Sequence, residues 1–298
     1  MEAINAIFNI VLVVFIMATM LSAGFNTTFK QVADVFKRWQ LVVGVLIAGF
    51  VIRPLVGWGS AELFALATPA FIATVLIWSC PGAPFGSSLV MTAKANIQTG
   101  AVLQVTMAAI GSLTFAPTAN AIISAAELGD AVTLPVADLV KTVAFLQLVP
   151  FVVGILTRHW TEERALEWEV TSSKVASLTF VFVLAGALLG SWQTMVELIG
   201  SKTLVAAIAA SVVMIAVGYL LSTGDTPTKR ATALIEPCSN SGPAFAAIGI
   251  AFNNDPEILG AATAILVLQI LTGVVTASYW GKDSEGESVA TEPAGTTA

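Results

Sequence analysis

Two short stretches rich in Pro and Gly interrupt apolar runs that are otherwise long enough to cross a bilayer. The first reads Cys80-Pro81-Gly82-Ala83-Pro84-Phe85-Gly86-Ser87-Ser88. The second reads Glu236-Pro237-Cys238-Ser239-Asn240-Ser241-Gly242-Pro243-Ala244-Phe245. Hydrocarbon cannot satisfy the N–H and C=O groups that such breaks release, so a break at membrane depth must line a cavity or be buried in protein. One break in each half predicts discontinuous helices from two inverted repeats, the arrangement in which secondary transporters hold substrate and ions near the midplane.

The membrane reading rests on composition. Hydrophobic residues make up 56% of the chain and charged residues only 11%, against about 25% charged in a soluble domain. The apolar stretch at 4–24 is too long for the core of a signal peptide and lacks a basic leading segment, which predicts a first membrane helix. Two cysteines make no disulfide framework. The 13 basic residues scatter over many loops, which argues against a nucleic-acid partner. Enzyme chemistry is poorly served as well: HExxH, GxSxG and CxxC are missing, and the chain has one His.

The apolar runs predict an all-α polytopic membrane protein with nine transmembrane helices, about 4–23, 40–58, 63–95, 98–124, 135–157, 172–192, 202–222, 227–252 and 256–280. The third and eighth are the broken ones, and an amphipathic connector covers 25–39. Residues 1–280 form one transporter domain with a first repeat at about 1–125 and a second at about 133–280. The polar, acidic tail at 281–298 predicts disorder on the cytoplasmic side.

Lys30, Lys37, Arg38, Lys94, Arg158, Arg164, Lys174, Lys229, Arg230 and Lys282 collect at alternate ends of these spans, and Glu62, Glu127, Asp130, Glu197, Asp255 and Glu257 at the opposite ends, with Lys202 the one clear basic exception. The positive-inside rule then places the N-terminus outside and the C-terminus in the cytoplasm of an inner-membrane protein. Arg53 and Lys141 fall toward the outer ends of their helices, and snorkelling to the interface is the expectation for both.

Glu236 is the one acidic residue expected deep in the membrane, where a carboxylate costs roughly 2.5–3.5 kcal/mol on insertion scales. Pro84 and Pro243 suit the first turn of each second half-helix, where a missing N–H costs nothing. The exposed half-helix N-termini there favour an anionic substrate. The C-terminal ends of the first halves offer carbonyls to a cation. Ser87, Ser88, Asn240 and Ser241 lie at these ends, where capping is the competing explanation.

At these residues the chain resembles the bile acid:sodium symporter family, within the wider superfamily that includes arsenite exporters. The resemblance runs from residues 17–29 through Arg53-Pro54, Cys80-Pro81-Gly82 and Lys94-Ala95-Asn96 to the stretch 236–242. It implies a panel domain packed on a core domain whose two broken helices cross. It also implies a symporter of an organic anion, working by alternating access. Glu236, Asn240, Ser239, Ser87 and Gln104 are the implied cation- or proton-coupling residues, with sodium one candidate ion at Glu236, Ser87 and Asn240. Gln269, Ser88, Ser241, Pro84 and Pro243 are the implied substrate residues.

Several sodium ligands of the family are replaced. Gly86 and Ser87 stand where a Ser-Asn pair is usual, Gly100 and Gln104 where hydroxyl ligands occur, and Gly49 where a Gln precedes the helix Pro. Sodium, a proton and no coupling ion all stay open at this point. Cys80 adds the alternative of an arsenite-type exporter.

Overall fold

Helix interruptions govern the architecture. A computed structural model describes residues 2–126 and 134–291, and no strand occurs among them. Among the described residues, seven helices are long and apolar enough to cross a membrane. Two shorter apolar helices, Thr68–Trp78 and Ser241–Phe252, belong to the interrupted regions.

The chain begins with α1 (Glu2–Asn26) and the amphipathic connector α2 (Phe29–Phe36). The connector starts with a capping box: Thr28 accepts from the Gln31 N–H while the Gln31 side chain accepts from the Thr28 N–H. Next come α3 (Trp39–Ile47), a π-helical segment (Ala48–Ile52) and α4 (Arg53–Leu63), continuous in direction. The first broken helix is α5 (Thr68–Trp78) with α6 (Phe85–Thr92). Then follow α7 (Ile97–Ala125), α8 (Val136–Trp160), α9 (Glu162–Gly190), the short α10 (Trp192–Glu197) and α11 (Lys202–Leu220). The second broken helix is α12 (Thr226–Ile235) with α13 (Ser241–Phe252), and α14 (Pro256–Thr291) ends the described chain.

Three expectations change. The charged stretch after α8 is helical rather than a loop, so α9 starts at Glu162 instead of near 172. Glu162 and Glu163 occupy its first turn, where acidic side chains favour a helix N-terminus, and Arg158 of α8 pairs with Glu162 at 2.9 Å. The last helix runs on to Thr291, so residues 281–291 are helical and not disordered. Packing explains this: Asp283 pairs with Arg230 of α12, and a Cβ at Gly281 would lie 2.4 Å from the Thr92 carbonyl oxygen of α6. Residues 292–298, and the acidic pair Glu127 and Asp130, lie outside the described residues. The third change, at Arg53, belongs to the site.

The side chains form two main cores. In the first, α5 and α13 pack with α1, α7, α8, α9 and α14. In the second, α6 and α12 pack with α3 and α7. Each broken helix therefore contributes one half to each core, which fixes both breaks at the boundary between them. On the first side α1 lies closely along α8. A Cβ on Gly24 would come within 2.9 Å of the Gly154 Cα, the small-residue contact that lets membrane helices approach.

Candidate functional site

Pro54 shapes the site before any charged group enters. It lacks a backbone N–H, and the helix ahead of it widens into π register, with the Arg53 N–H donating to the Ala48 carbonyl five residues back. The bulge places Arg53 inside the protein. It is fully buried, where snorkelling toward the surface was expected. The reason is a set of stronger partners inside.

Those partners are backbone carbonyls released where the first half of each broken helix ends. Arg53 Nε donates to the Trp78 carbonyl at the end of α5, at 3.2 Å. Nη1 donates to the carbonyl of Glu236, the C-cap of α12, and to that of Cys238 at 3.1 Å. Nη2 donates to the Ser239 hydroxyl. Carbonyls at a helix end have no partner in the helix itself, and the planar guanidinium fork answers several at once. The Trp78 ring covers the guanidinium, with its centroid 5.2 Å from Cζ. Gly57 makes room for this residue, because a Cβ there would lie 2.4 Å from the Trp78 Cβ.

The carboxylate of Glu236 takes no part in these hydrogen bonds. Glu236 is fully buried, and neither Oε1 nor Oε2 has a hydrogen-bond partner among the described residues. Two glycines give it space. A Cβ at Gly218 would stand 2.8 Å from the Glu236 Cγ. A Cβ at Gly49 would stand 3.6 Å from Oε2, 2.9 Å from the Met107 Sδ and 3.6 Å from the Pro81 Cβ. The carboxylate thus sits among α11, the π segment, α7 and the first break.

The two breaks touch directly. The Asn240 N–H donates to the Cys80 carbonyl at 2.8 Å. In the first break Gly82 takes a left-handed φ of 87° and lies so close to α7 that a Cβ would be 2.3 Å from the Ala108 nitrogen. The Gln104 side-chain oxygen accepts from the Ser87 N–H at 2.8 Å and from its hydroxyl at 2.9 Å. Gln104 and Met107, one turn apart on α7, place these contacts on one helix face.

Other expected residues distribute unevenly. Asn240 and Ser241 are buried at the start of α13, and the Asn240 side chain does not cap that helix. Pro84 precedes α6 as its N-cap residue, whereas Pro243 is the third residue of α13, so the two prolines do not hold matching places. Ser88 is exposed. Gln269 is buried, and both polar atoms of its amide lack partners among the described residues. Cys80 and Cys238 are buried free thiols. Ser87 and Asn240 make no hydrogen bond to the Glu236 carboxylate. Sequence reasoning missed Arg53, Trp78 and Met107. The signal for Arg53 was available: a cation beside a proline, flanked by apolar residues, in a chain with freed carbonyls to satisfy.

Comparison with known proteins follows the same lines. A sequence model of the sodium bile acid symporter family matches residues 11–215. A probable sodium/metabolite cotransporter of rice chloroplasts, BASS2, is 24% identical over 204 residues, or 68% of this chain and 47% of the relative. The chain therefore spans about half the length of that protein. An uncharacterized sodium-dependent transporter of Bacillus subtilis, YocS, is 27% identical over 267 residues, 85% of this chain and 77% of the relative. With the matched region covering well over half of its length, this multi-pass membrane chain belongs to the sodium bile acid symporter family, a family of transporters and not of enzymes.

Proposed function

We propose that the chain is a secondary transporter that carries a small organic anion by alternating access, coupled to one cation at the Glu236 carboxylate. The carrying observation is that carboxylate: it is buried where the two breaks meet and lacks a partner for either oxygen. A buried carboxylate without hydrogen bonds is costly in such a place and marks an ion path by default.

The same reading takes the nine spans as inverted repeats. Local chemistry supports it. Both broken helices open on Thr-Pro, at Thr68-Pro69 and Thr226-Pro227, and both end just before a left-handed residue, Lys94 or Asn253. The N-terminus then lies outside and the C-terminus in the cytoplasm of an inner membrane, as the basic loops favour. Gln269, with Ser241 and the α13 N-terminus, faces the organic anion; its unanswered amide supplies both donors and acceptors.

The residues present fit a single positive charge at Glu236, as its two orphaned oxygens indicate. They do not fit a sodium ion on the carbonyls of the second break, because Arg53 already holds those oxygens. The names of the two relatives favour sodium as the coupling cation. The Met107 thioether and Pro81 hydrocarbon that share the space beside Gly49 with the carboxylate favour a proton, since hard cations prefer oxygen ligands. A bound cation or proton would neutralise the carboxylate and remove the cost of carrying it between states.

The melting temperature of the detergent-purified protein across sodium, potassium and pH separates the two, because a ligand of the native state raises it with concentration. A sodium-specific rise that disappears in Glu236→Gln identifies sodium. A pH-dependent shift that disappears in the same variant identifies the proton. Identical responses in wild type and Glu236→Gln would remove Glu236 from coupling altogether.

A further inference from the structure

The oxygen cradle at the second break is complete without any bound ion. It consists only of acceptors from the two helix ends, the carbonyls of Trp78, Glu236 and Cys238, together with the Ser239 hydroxyl. Helix C-termini carry partial negative charge and favour cations. The cation seated here is part of the chain. We infer that Arg53 is a tethered cation that takes the place of an alkali ion at the second break, leaving the Glu236 carboxylate as the one exchangeable charge at the crossing.

Chemistry separates the two roles. A guanidinium stays charged at any physiological pH and is bound covalently to its helix, so it neither titrates nor leaves. The full burial of Arg53 and the overlying Trp78 ring shut this cradle against a competing ion. The Glu236 side chain has no such commitment. With the carboxylate charged, Arg53 and Glu236 balance each other. When a cation or proton loads the carboxylate, the positive charge of Arg53 is left uncompensated in a low-dielectric interior, and an anion becomes the favoured next occupant. Coupling of one cation to one monoanion then follows from charge balance. This step deepens the transport reading and rests on it, whereas the occupancy of the cradle by Arg53 does not.

Two variants of the full-length purified protein test the inference, with melting temperature read in sodium chloride against choline chloride at equal ionic strength. In Glu236→Gln, with Arg53 still seated, no sodium-specific shift is expected. A sodium-specific rise there would mean that an ion binds beside Arg53, and would overturn the proposal. In Arg53→Ala, a fall of about 5 °C or more is expected, with recovery in tens-of-millimolar sodium or guanidinium chloride that choline does not give. An unchanged melting temperature, or recovery equal in all salts, would overturn it too. If Arg53→Ala yields no folded protein, the Glu236→Gln arm decides alone. Failure of the coupling reading shows separately, as a wild type indifferent to sodium and pH, and leaves the arginine arm readable.

Discussion

The two breaks share a backbone plan and differ in what fills them. The first is neutral. Its contacts are a left-handed glycine pressed on α7, an amide that accepts from Ser87, and two carbonyls, that of Trp78 given to Arg53 and that of Cys80 given to the opposite break. The second concentrates the charge, with Arg53 on its carbonyls and a Glu236 carboxylate that no hydrogen bond holds. The two breaks therefore differ in kind, one structural and one electrostatic. Removing a polar contact from the first should loosen packing, while the same operation on the second should strand charges.

The sharpest test of that contrast is Arg53→Leu. It leaves the three carbonyls and the Ser239 hydroxyl without their donor and Glu236 without its nearest counter-charge. Breaking a buried ionic arrangement from one side costs about 3–5 kcal/mol. No single substitution in the first break should equal it, as measured by thermal unfolding in one detergent. A first-break variant that costs more would reverse the comparison.

Gly82→Ala comes next. The added Cβ meets the Ala108 backbone, and φ at this position disfavours any L side chain. Overpacking and backbone strain together predict a loss of about 2–4 kcal/mol, with any ion response retained. If Gly82→Ala also abolishes the response to sodium or pH, the first break shares the coupling chemistry and the division of labour fails. Gln104→Leu should cost less, about 1–2 kcal/mol for the two hydrogen bonds to Ser87. A sodium response lost in Gln104→Leu would restore the ligand role that the family resemblance implies for it.

The breaks and the burial of Glu236 were legible because each depends on local chemistry. Pro and Gly stop a helix wherever they stand, and a carboxylate in an apolar run is conspicuous. Arg53 was misread because its depth was judged from its position along one helix. Its partners Glu236, Cys238 and Ser239 lie more than 180 residues away in sequence, and the π turn that redirects it carries no reliable mark in composition. The same holds for the last helix. Gly281 and Asp283 look like linker residues until Thr92 and Arg230 are placed against them. Long-range polar contacts, rather than apolar pattern, account for what the sequence left hidden.

The smallest predicted effect probes how the two broken helices begin. Asp225 caps α12, its carboxylate accepting from the Thr228 N–H at 3.1 Å. The equivalent position before α5 is Ala67, exposed, extended and without a side-chain cap. Hydrogen bonds from the Thr228 side chain and backbone hold the Asp225 carboxyl below the usual carboxylate range. A depressed folded-state pKa contributes stability that is present above the unfolded value, near 4, and fades as pH falls through the folded one. Asp225→Ala should therefore cost about 0.5–1 kcal/mol at neutral pH and progressively less below about pH 4. Ala67→Asp should gain a similar amount at neutral pH, because its backbone already has the conformation of a cap. Melting curves of the two variants at pH 7 and at about pH 3.5 would check both. Opposite shifts that converge on wild type in acid would show that the uncharged start of α5 is a choice of side chain. A gain at Ala67 that persists in acid would point instead to a packing effect at the first helix alone.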